Sequence, residues 1–353
     1  MSTVTSGLVC AHHHLYSSLA RGIPAPPKQP ETFIDILENI WWRIDSALDL
    51  DMIYWSAALG AAEALMSGTT CVIDHHESPF AIEGSLSIIA QACTDVGIRV
   101  NASYGVTDRW TPGGQVSKVS PLSPSTEGAQ RGLAENDRFL AEGGRGMVGV
   151  HAAFTCSDET LHAVADLALR HGVGVHIHVA ESRDDLAAGA RLEHLAKDDW
   201  LLIHAVHLDR HLAGRIVHNP RSNMNNSVGY ARPTNHSNTV LLGTDGIGAD
   251  MLEEFRLAYA RLREFDLTEN PDTVMSWLKN AYELFPEASG DEVIWNYDHM
   301  DSAWHVAFTP GIRALDVTID GDKVLSDGLP TRIDLQEIRA KANEQSRRLH
   351  ERL

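Results

Sequence analysis

The chain has 353 residues, with 48 Asp and Glu against 29 Lys and Arg, for a formal charge of -19. That excess of negative charge argues against general binding to a phosphate backbone. At 43% hydrophobic and 22% charged, the composition is that of a globular chain, long enough for one large α/β domain or two smaller ones. Cys10, Cys71, Cys93 and Cys156 form no CxxC pair and read as buried free thiols of a reducing compartment. No apolar run approaches the length of about 18 that spans a bilayer, and no basic-then-apolar leader opens the chain, so the expectation is a cytoplasmic protein without membrane contact. The 19 histidines are the compositional excess that asks for an explanation.

Taken in order, short apolar runs alternate with helical stretches. Strands are predicted at 8–14, 69–73 (closed by Asp74, His75 and His76), 99–104, 147–152, 173–179, 200–204, 215–218 and 239–242. Helices are predicted at 30–49, 52–66, 84–95, 126–141, 158–171, 186–196, 253–265 and 273–284, and residues 111–125 form a Pro/Gly/Ser-rich loop. Strands separated by helices of this length imply parallel pairing with crossovers. Eight strands close a barrel, and strand after strand ends in His12 and His14, Asp74 and His75, Asp108, His151, His178, His204, His218 or Asp245. Reactive groups at one end of every strand suit a (β/α)8 TIM-like barrel better than an open doubly wound sheet, which gathers its site at one crevice. Neither GxGxxG after the first strand nor a phosphate loop is present. Beyond the barrel, 293–297, 314–319 and 323–325 read as short antiparallel strands with a turn at Asp320-Gly321, and 334–353 as a charged outer helix.

His12 and His14 stand two apart, as do His176 and His178, and that spacing puts each pair on one face of a strand. A catalytic zinc takes about three His or Asp ligands and keeps a position for water. His12, His14, His178 and Asp245 are the proposed ligands of one divalent metal ion. Glu181, three residues past His178, is placed to take a proton from the water and pass it on. Core histidines and a chance His12-His13-His14 run are the bland alternative; the order of the motifs at successive strand ends weighs against it. Asp74, His75 and His76 are either partners of the ligands or ordinary strand-end polar groups. Trp41 and Trp42 read as core packing.

Together these motifs resemble the amidohydrolase superfamily, in its cytosine-deaminase and triazine-hydrolase branch, most nearly the aminohydrolases of the SsnA type. The residues that carry the resemblance are Gly7 to Ser17, Gly68 to Pro79, Val106-Thr-Asp-Arg109, His176-Ile-His-Val-Ala-Glu181, His204-Ala-Val-His-Leu208, His218-Asn-Pro-Arg-Ser-Asn-Met224 and Leu242-Gly-Thr-Asp-Gly246, in that order. The resemblance implies one metal, zinc with iron or manganese as alternatives, on His12, His14, His178 and Asp245. It implies Glu181 as proton shuttle, His204 polarising the substrate and Asp245 accepting the water's proton. Arg109, His151, Asn219, Arg221 and Asn223 become candidates for reading the substrate, with a loop-fixing salt bridge as the alternative for Arg221. The implied reaction is hydrolytic deamination of an amino-substituted N-heterocycle (a purine, pyrimidine or triazine) with release of ammonia. The implied partners are that small molecule and further copies of the chain, with no nucleic acid. A hydrolase of the same fold that releases chloride or cleaves an amide or formimino bond, and an inactive barrel serving binding or assembly, are the alternatives.

The resemblance divides the chain into a barrel over 7–290, small-domain strands over 291–330 and a helix over 331–353. It also exposes two departures. Family members begin with extra strands that pair with the C-terminal ones, whereas six residues precede Gly7 here, so the C-terminal strands are expected to lack partners and expose apolar edges. The stretches 208–215 and 228–239 are too thin for ordinary crossovers. Either the crossovers are pared down or residues are missing from them, and the second reading is favoured. If residues have been lost, the register of His204 and Asp245 is in doubt.

Overall fold

The computed structural model describes residues 3–353. Its centre is a barrel of eight parallel strands: β1 (Leu8–His14), β2 (Thr69–His76), β3 (Arg99–Tyr104), β4 (Val148–Ala152), β5 (Val175–Val179), β6 (Leu201–His204), β7 (Arg215–His218) and β8 (Val240–Leu242). β1 to β3 pair in sequence, and so do β4 to β8. Bridges from Ala102 to Gly146 and from Val106 to Val150 join β3 to β4. Closure comes from the chain just past β8, where Asp245 and Gly246 pair with His13 and His14 of β1. The protein is therefore an α/β barrel of the (β/α)8 type, as its strand count predicts.

Alternation along the strands decides what faces inward. Val9, Ala11, Cys71, Ile73, Leu201, Ile203, Val217 and Leu241 fill the barrel, and Ala281, Phe285 and Ala288 close its lower end. Val175, Ile177 and Val179 pack outward on Leu161, Val164 and Leu167 of the helix Asp158–His171. The crossover helices carry their own start signals: Asp49, Thr126, Ser157 and Asp250 each accept a hydrogen bond from a backbone N–H of the turn that follows.

The crossovers thin out in the second half. Between β5 and β6 the one α-helix is Ala188–Leu192, after a 3-10 turn at Arg183–Asp185; between β6 and β7 no helix forms; and between β7 and β8 the α-helix is the short Pro220–Asn225, followed by a 3-10 turn at Pro233–Asn235. The strands keep parallel register regardless, with Val217 opposite Ile203 and Leu241. His204 and Asp245 keep their places as well, against the expectation that thin crossovers put their register in doubt. Turns replace the helix over 205–214, and Asn238 ties that segment down by donating to the carbonyls of Leu212 (2.9 Å) and Gly214 (2.7 Å).

The expectation of unpartnered C-terminal strands is corrected. Glu292–Trp295, Ala314–Ile319, Asp322–Ser326 and Leu329–Pro330 form an antiparallel sheet, and Val4–Thr5 adds a fifth strand at one edge. Val293, Trp295, Val317, Ile319, Val324 and Leu325 are buried in the same cluster as the helices Leu50–Met66 and Ser85–Val96. The barrel's own helices thus cover the apolar face that a second sheet would otherwise cover. Asp320 and Gly321 both have positive φ (52° and 86°), the geometry of the predicted two-residue turn. The last helix, Leu335–Arg352, buries Leu335, Ile338, Ala342 and Leu349. All four cysteines are free and buried. Among the described residues no helix is long and apolar enough to cross a membrane.

Candidate metal centre

Three local departures from regular strand geometry aim the site residues. In β1 the four residues from Cys10 to His13 face the three in β2 from Val72 to Asp74. This extra residue shifts the inward phase set by Val9 and Ala11, so that His12 and His14 turn into the barrel while His13 faces Thr244. In β6, Leu201 and Ile203 face inward, so plain alternation would send His204 out. Instead His204 and Ala205 take positive φ (69° and 51°), and the side chain swings into the site. Asp245, at φ 57°, is placed the same way. Left-handed non-glycine residues cost on the order of 1–3 kcal/mol each and gather at functional sites.

The result is a tight cluster. Ligand atoms of His12, His14 and Asp245 lie within 4.8 Å of one another, as do those of His12, His178 and His204, and those of Glu181, His204 and Asp245. Asp245 is the hub: its Oδ1 lies 3.2 Å from His14 Nε2 and 3.6 Å from His12 Nε2, and its Oδ2 lies 3.5 Å from His204 Nε2. His178 Nε2 is 3.3 Å from His14 Nε2. Glu181 Oε2 lies 3.5 Å from His204 Nε2, and Glu181 Oε1 accepts from Asn226 at 3.3 Å.

The far side of each ring fixes its tautomer. His14 Nδ1 donates to the carbonyl of His75 (2.6 Å), His178 Nδ1 to the carbonyl of His151 (2.7 Å) and His204 Nδ1 to the amide oxygen of Asn223 (2.8 Å). Their Nε2 lone pairs are left facing the cluster, the arrangement of metal-binding histidines. His12 Nε2 is buried without a hydrogen-bond partner among the described residues. An orphaned ring nitrogen at the meeting point of histidines and a carboxylate fits a divalent cation. Burial drives His178 down to about 3 and His12 well below the ordinary histidine range, so both stay neutral. Burial also opposes charge on His14, but Asp245 outweighs it and raises the ring to about 9. That pair shares a proton which a bound cation would displace. Burial raises the Glu181 carboxyl above the ordinary range, with the Asp245 charge adding and His204 opposing.

Above the cluster lies a cavity of about 240 Å³. Phe33, Leu37, Trp41, Trp42, Phe154 and Ile247 give it apolar walls, and Tyr16, Asp45 and Glu77 give it a polar one. Residues 33–47 form one helical run interrupted by a π-turn at Leu37–Trp41. Such a turn is common at functional sites, and here it presents both tryptophans to the cavity. Trp42 is buried with Leu37, Ala152 and Phe154, and Trp41 packs against that cluster, as their reading as core residues expects; that both also line the cavity is what the sequence carried no signal for.

The remaining candidates separate by position. His151 and Arg221 border the cavity. Arg221 is also tied to Glu254 (2.8 Å) and to the carbonyls of Thr244 (2.5 Å) and Gly246 (3.0 Å), which flank Asp245. Asn223 is buried on His204, and Asn219 donates to the Val217 carbonyl at 3.3 Å. Arg109 is fully buried behind the wall, paired with Asp45 (2.8 Å) and Glu77 (2.7 Å) and stacked near Trp42 and Trp110. His75 borders the cavity, whereas Asp74 accepts from the Leu15 N–H (2.6 Å) and His76 pairs with Ser78 (2.9 Å). Asp108 accepts from the backbone of Thr126 and Ser157, and His218 packs outward between Tyr230 and Trp277.

A closed barrel with histidines and an aspartate gathered at the C-terminal ends of its strands is the architecture of a metal-site (β/α)8 protein. The chain belongs to the Amidohydrolase family, whose model matches residues 3–284. It is 32% identical to the 5'-deoxyadenosine deaminase of Methanopyrus kandleri over 286 residues, which are 72% of this chain and 61% of that relative. The match thus spans less than two thirds of that relative's length. The fold is similar to that of a zinc-bound adenosine deaminase from Xanthomonas campestris (TM-score 0.80, 20% identity, 99% of this chain and 86% of that chain). It is also similar to the zinc-complexed atrazine chlorohydrolase of Arthrobacter aurescens (TM-score 0.78, 21% identity, 98% of this chain and 88% of that chain).

Proposed function

We propose that this chain is a metal-dependent aminohydrolase that removes the exocyclic amino group of an amino-substituted N-heterocycle, with adenine-type purines first in line. The observation that carries the reading is the convergence of His12, His14, His178 and Asp245 with Glu181 and His204 on the floor of an aromatic-walled cavity. His12, His14, His178 and Asp245 hold the cation; bound there, it supplies a Lewis acid that lowers the pKa of a water toward neutrality. Asp245, bridging His12, His14 and His204, accepts the water's proton. Glu181, whose carboxyl burial shifts toward its protonated form, is the group that delivers a proton to the departing nitrogen. His204, oriented by Asn223, turns Nε2 toward the reacting atoms and polarises the substrate when that nitrogen carries a proton. The rings of Trp41, Trp42, Phe33 and Phe154 take the flat faces of the heterocycle.

Among leaving groups, ammonia needs a proton and chloride does not, so a carboxyl that burial biases toward its protonated form supports deamination over dehalogenation. The named relative, a deaminase of 5'-deoxyadenosine, supports a purine nucleoside as the first substrate to try. We extend the proposal to zinc as the metal, to the SsnA-type affiliation and to a cytoplasmic homo-oligomer on the strength of the motif set. Within the substrate site, His151 and Arg221 are assigned to the cavity edge, while Asn223 and Asn219 act behind His204. The test is ammonia release by zinc-loaded protein across adenosine, 5'-modified adenosines, aminopyrimidines and aminotriazines, with chloride release from a chlorotriazine in parallel. Chelation should abolish turnover and zinc should restore it. Chloride without ammonia would select the dehalogenating alternative, and neither product from metal-loaded protein would leave the inactive barrel.

A further inference from the structure

His12 differs from the other three imidazoles of the cluster. His14, His178 and His204 each meet, at Nδ1, an oxygen that can only accept. Among the described residues His12 Nδ1 meets no oxygen; its hydrogen-bond neighbour is Nε2 of another imidazole, His176, at 2.8 Å. A single proton lies between those two nitrogens, and its owner decides whether His12 Nε2 is a lone pair or an N–H. The contact alone does not choose.

The choice is made one residue further back. His176 Nδ1 lies 3.3 Å from Ser103 Oγ. The Ser103 hydroxyl has one proton, and the carbonyl of Asp74, 3.0 Å away, can only accept it. The hydroxyl therefore offers a lone pair to His176, which places the His176 proton on Nδ1. His176 Nε2 is then an acceptor, His12 donates from Nδ1, and His12 Nε2 keeps its lone pair. We propose that Ser103 and His176 form a relay from the Asp74 carbonyl that locks His12 in its metal-binding tautomer, making His176 a positioning residue for the metal centre. His12, Ser103 and His176 are all fully buried, so no water competes for these bonds. β1, β3 and β5 supply one member each.

The inference rests on His12 being a ligand, and the experiment separates the two claims. Zinc affinity is measured by competition with a chromophoric chelator for the unaltered chain, His176→Leu, His176→Gln and Ser103→Ala, with thermal unfolding of each metal-free form as a folding control. The unaltered chain should bind one zinc. His176→Leu should lose about 10–100-fold in affinity, the range seen when the outer hydrogen bond of a metal-bound histidine is removed. His176→Gln, whose amide oxygen can still accept from His12, should recover most of that loss. Ser103→Ala should weaken binding severalfold, and it decides the matter should His176→Leu fail to fold. Zinc binding by His176→Leu as tight as the unaltered chain's, or no recovery with Gln, overturns the relay. Absence of zinc binding by the unaltered chain overturns the metal reading instead.

Discussion

Replacing Arg109 by Leu tests whether this residue builds the cavity wall or reads the substrate. Its guanidinium is 0% exposed, and the two carboxylates it holds, Asp45 and Glu77, are 2% and 5% exposed. Removing one member of a buried ionic cluster leaves uncompensated charge and costs about 3–5 kcal/mol. The loss of stacking near Trp42 and Trp110 (4.6 and 5.2 Å) adds to it. With an unfolding entropy of about 2.1 cal/mol/K per residue, a chain of 353 residues converts that cost into a fall in Tm of about 4–7 °C. The effect carries a pH signature. Burial raises Asp45 to about 6 and Glu77 to about 8, with Arg109 opposing in both cases. Both folded values lie above the unfolded ones, near 4, so the native state keeps protons that the unfolded state has lost, and stability falls as pH rises from about 4 through about 8. Arg109 moderates that fall. Differential scanning calorimetry of the metal-loaded proteins should therefore show a larger Tm loss for Arg109→Leu at about pH 8 than at about pH 5.5. A loss of the same size at both pH values would refute the buried-charge argument, and an unchanged Tm with a raised KM would put Arg109 on the substrate.

Two further substitutions address the centre itself. Glu181→Gln should keep zinc binding and lower kcat by about 10²–10⁴, the usual contribution of a positioned proton donor; full turnover with metal in place would remove Glu181 from proton transfer. Gly243 lies where the end of β8 passes β1, and a Cβ there would sit 2.5 Å from Asn219 Oδ1, 2.8 Å from His12 Cβ and 2.9 Å from the His12 backbone nitrogen. Backbone cannot yield as a flexible side-chain tip does, so Gly243→Ala should cost about 1–3 kcal/mol of stability and weaken zinc binding by displacing His12 or Asp245. Chelator competition and thermal unfolding both indistinguishable from the parent would show that the close approach is dispensable.

The barrel was legible because its evidence is local and repeated. Eight apolar runs separated by helical stretches, with ionisable residues at one end of each, admit few other architectures, and all eight strands begin within two residues of their predicted starts. The edge strand Val4–Thr5 and the helix Ala303–Phe308 escaped because such short segments have no period of their own to read. The C-terminal sheet was seen as strands but misjudged as uncovered, since its cover comes from helices far away in the chain, Leu50–Met66 and Ser85–Val96.

By itself the sequence determined which chemistry is available: histidines two apart, an acid three residues past His178, and an aspartate between glycines. Residue type and spacing along one strand survive without coordinates, because alternation is a property of the extended backbone. Direction at the strand ends did not survive. An extra residue in β1 turns His12 and His14 inward, and left-handed conformations at His204 and Asp245 bring in side chains that alternation would misplace. Such departures are held by pairing with neighbouring strands, so only the closed barrel decides them. The same holds for Arg109, a substrate candidate by resemblance, whose burial between two carboxylates no sequence pattern announces. It holds for His176 as well, which differs from its neighbour His178 only in what tertiary contact places behind the ring.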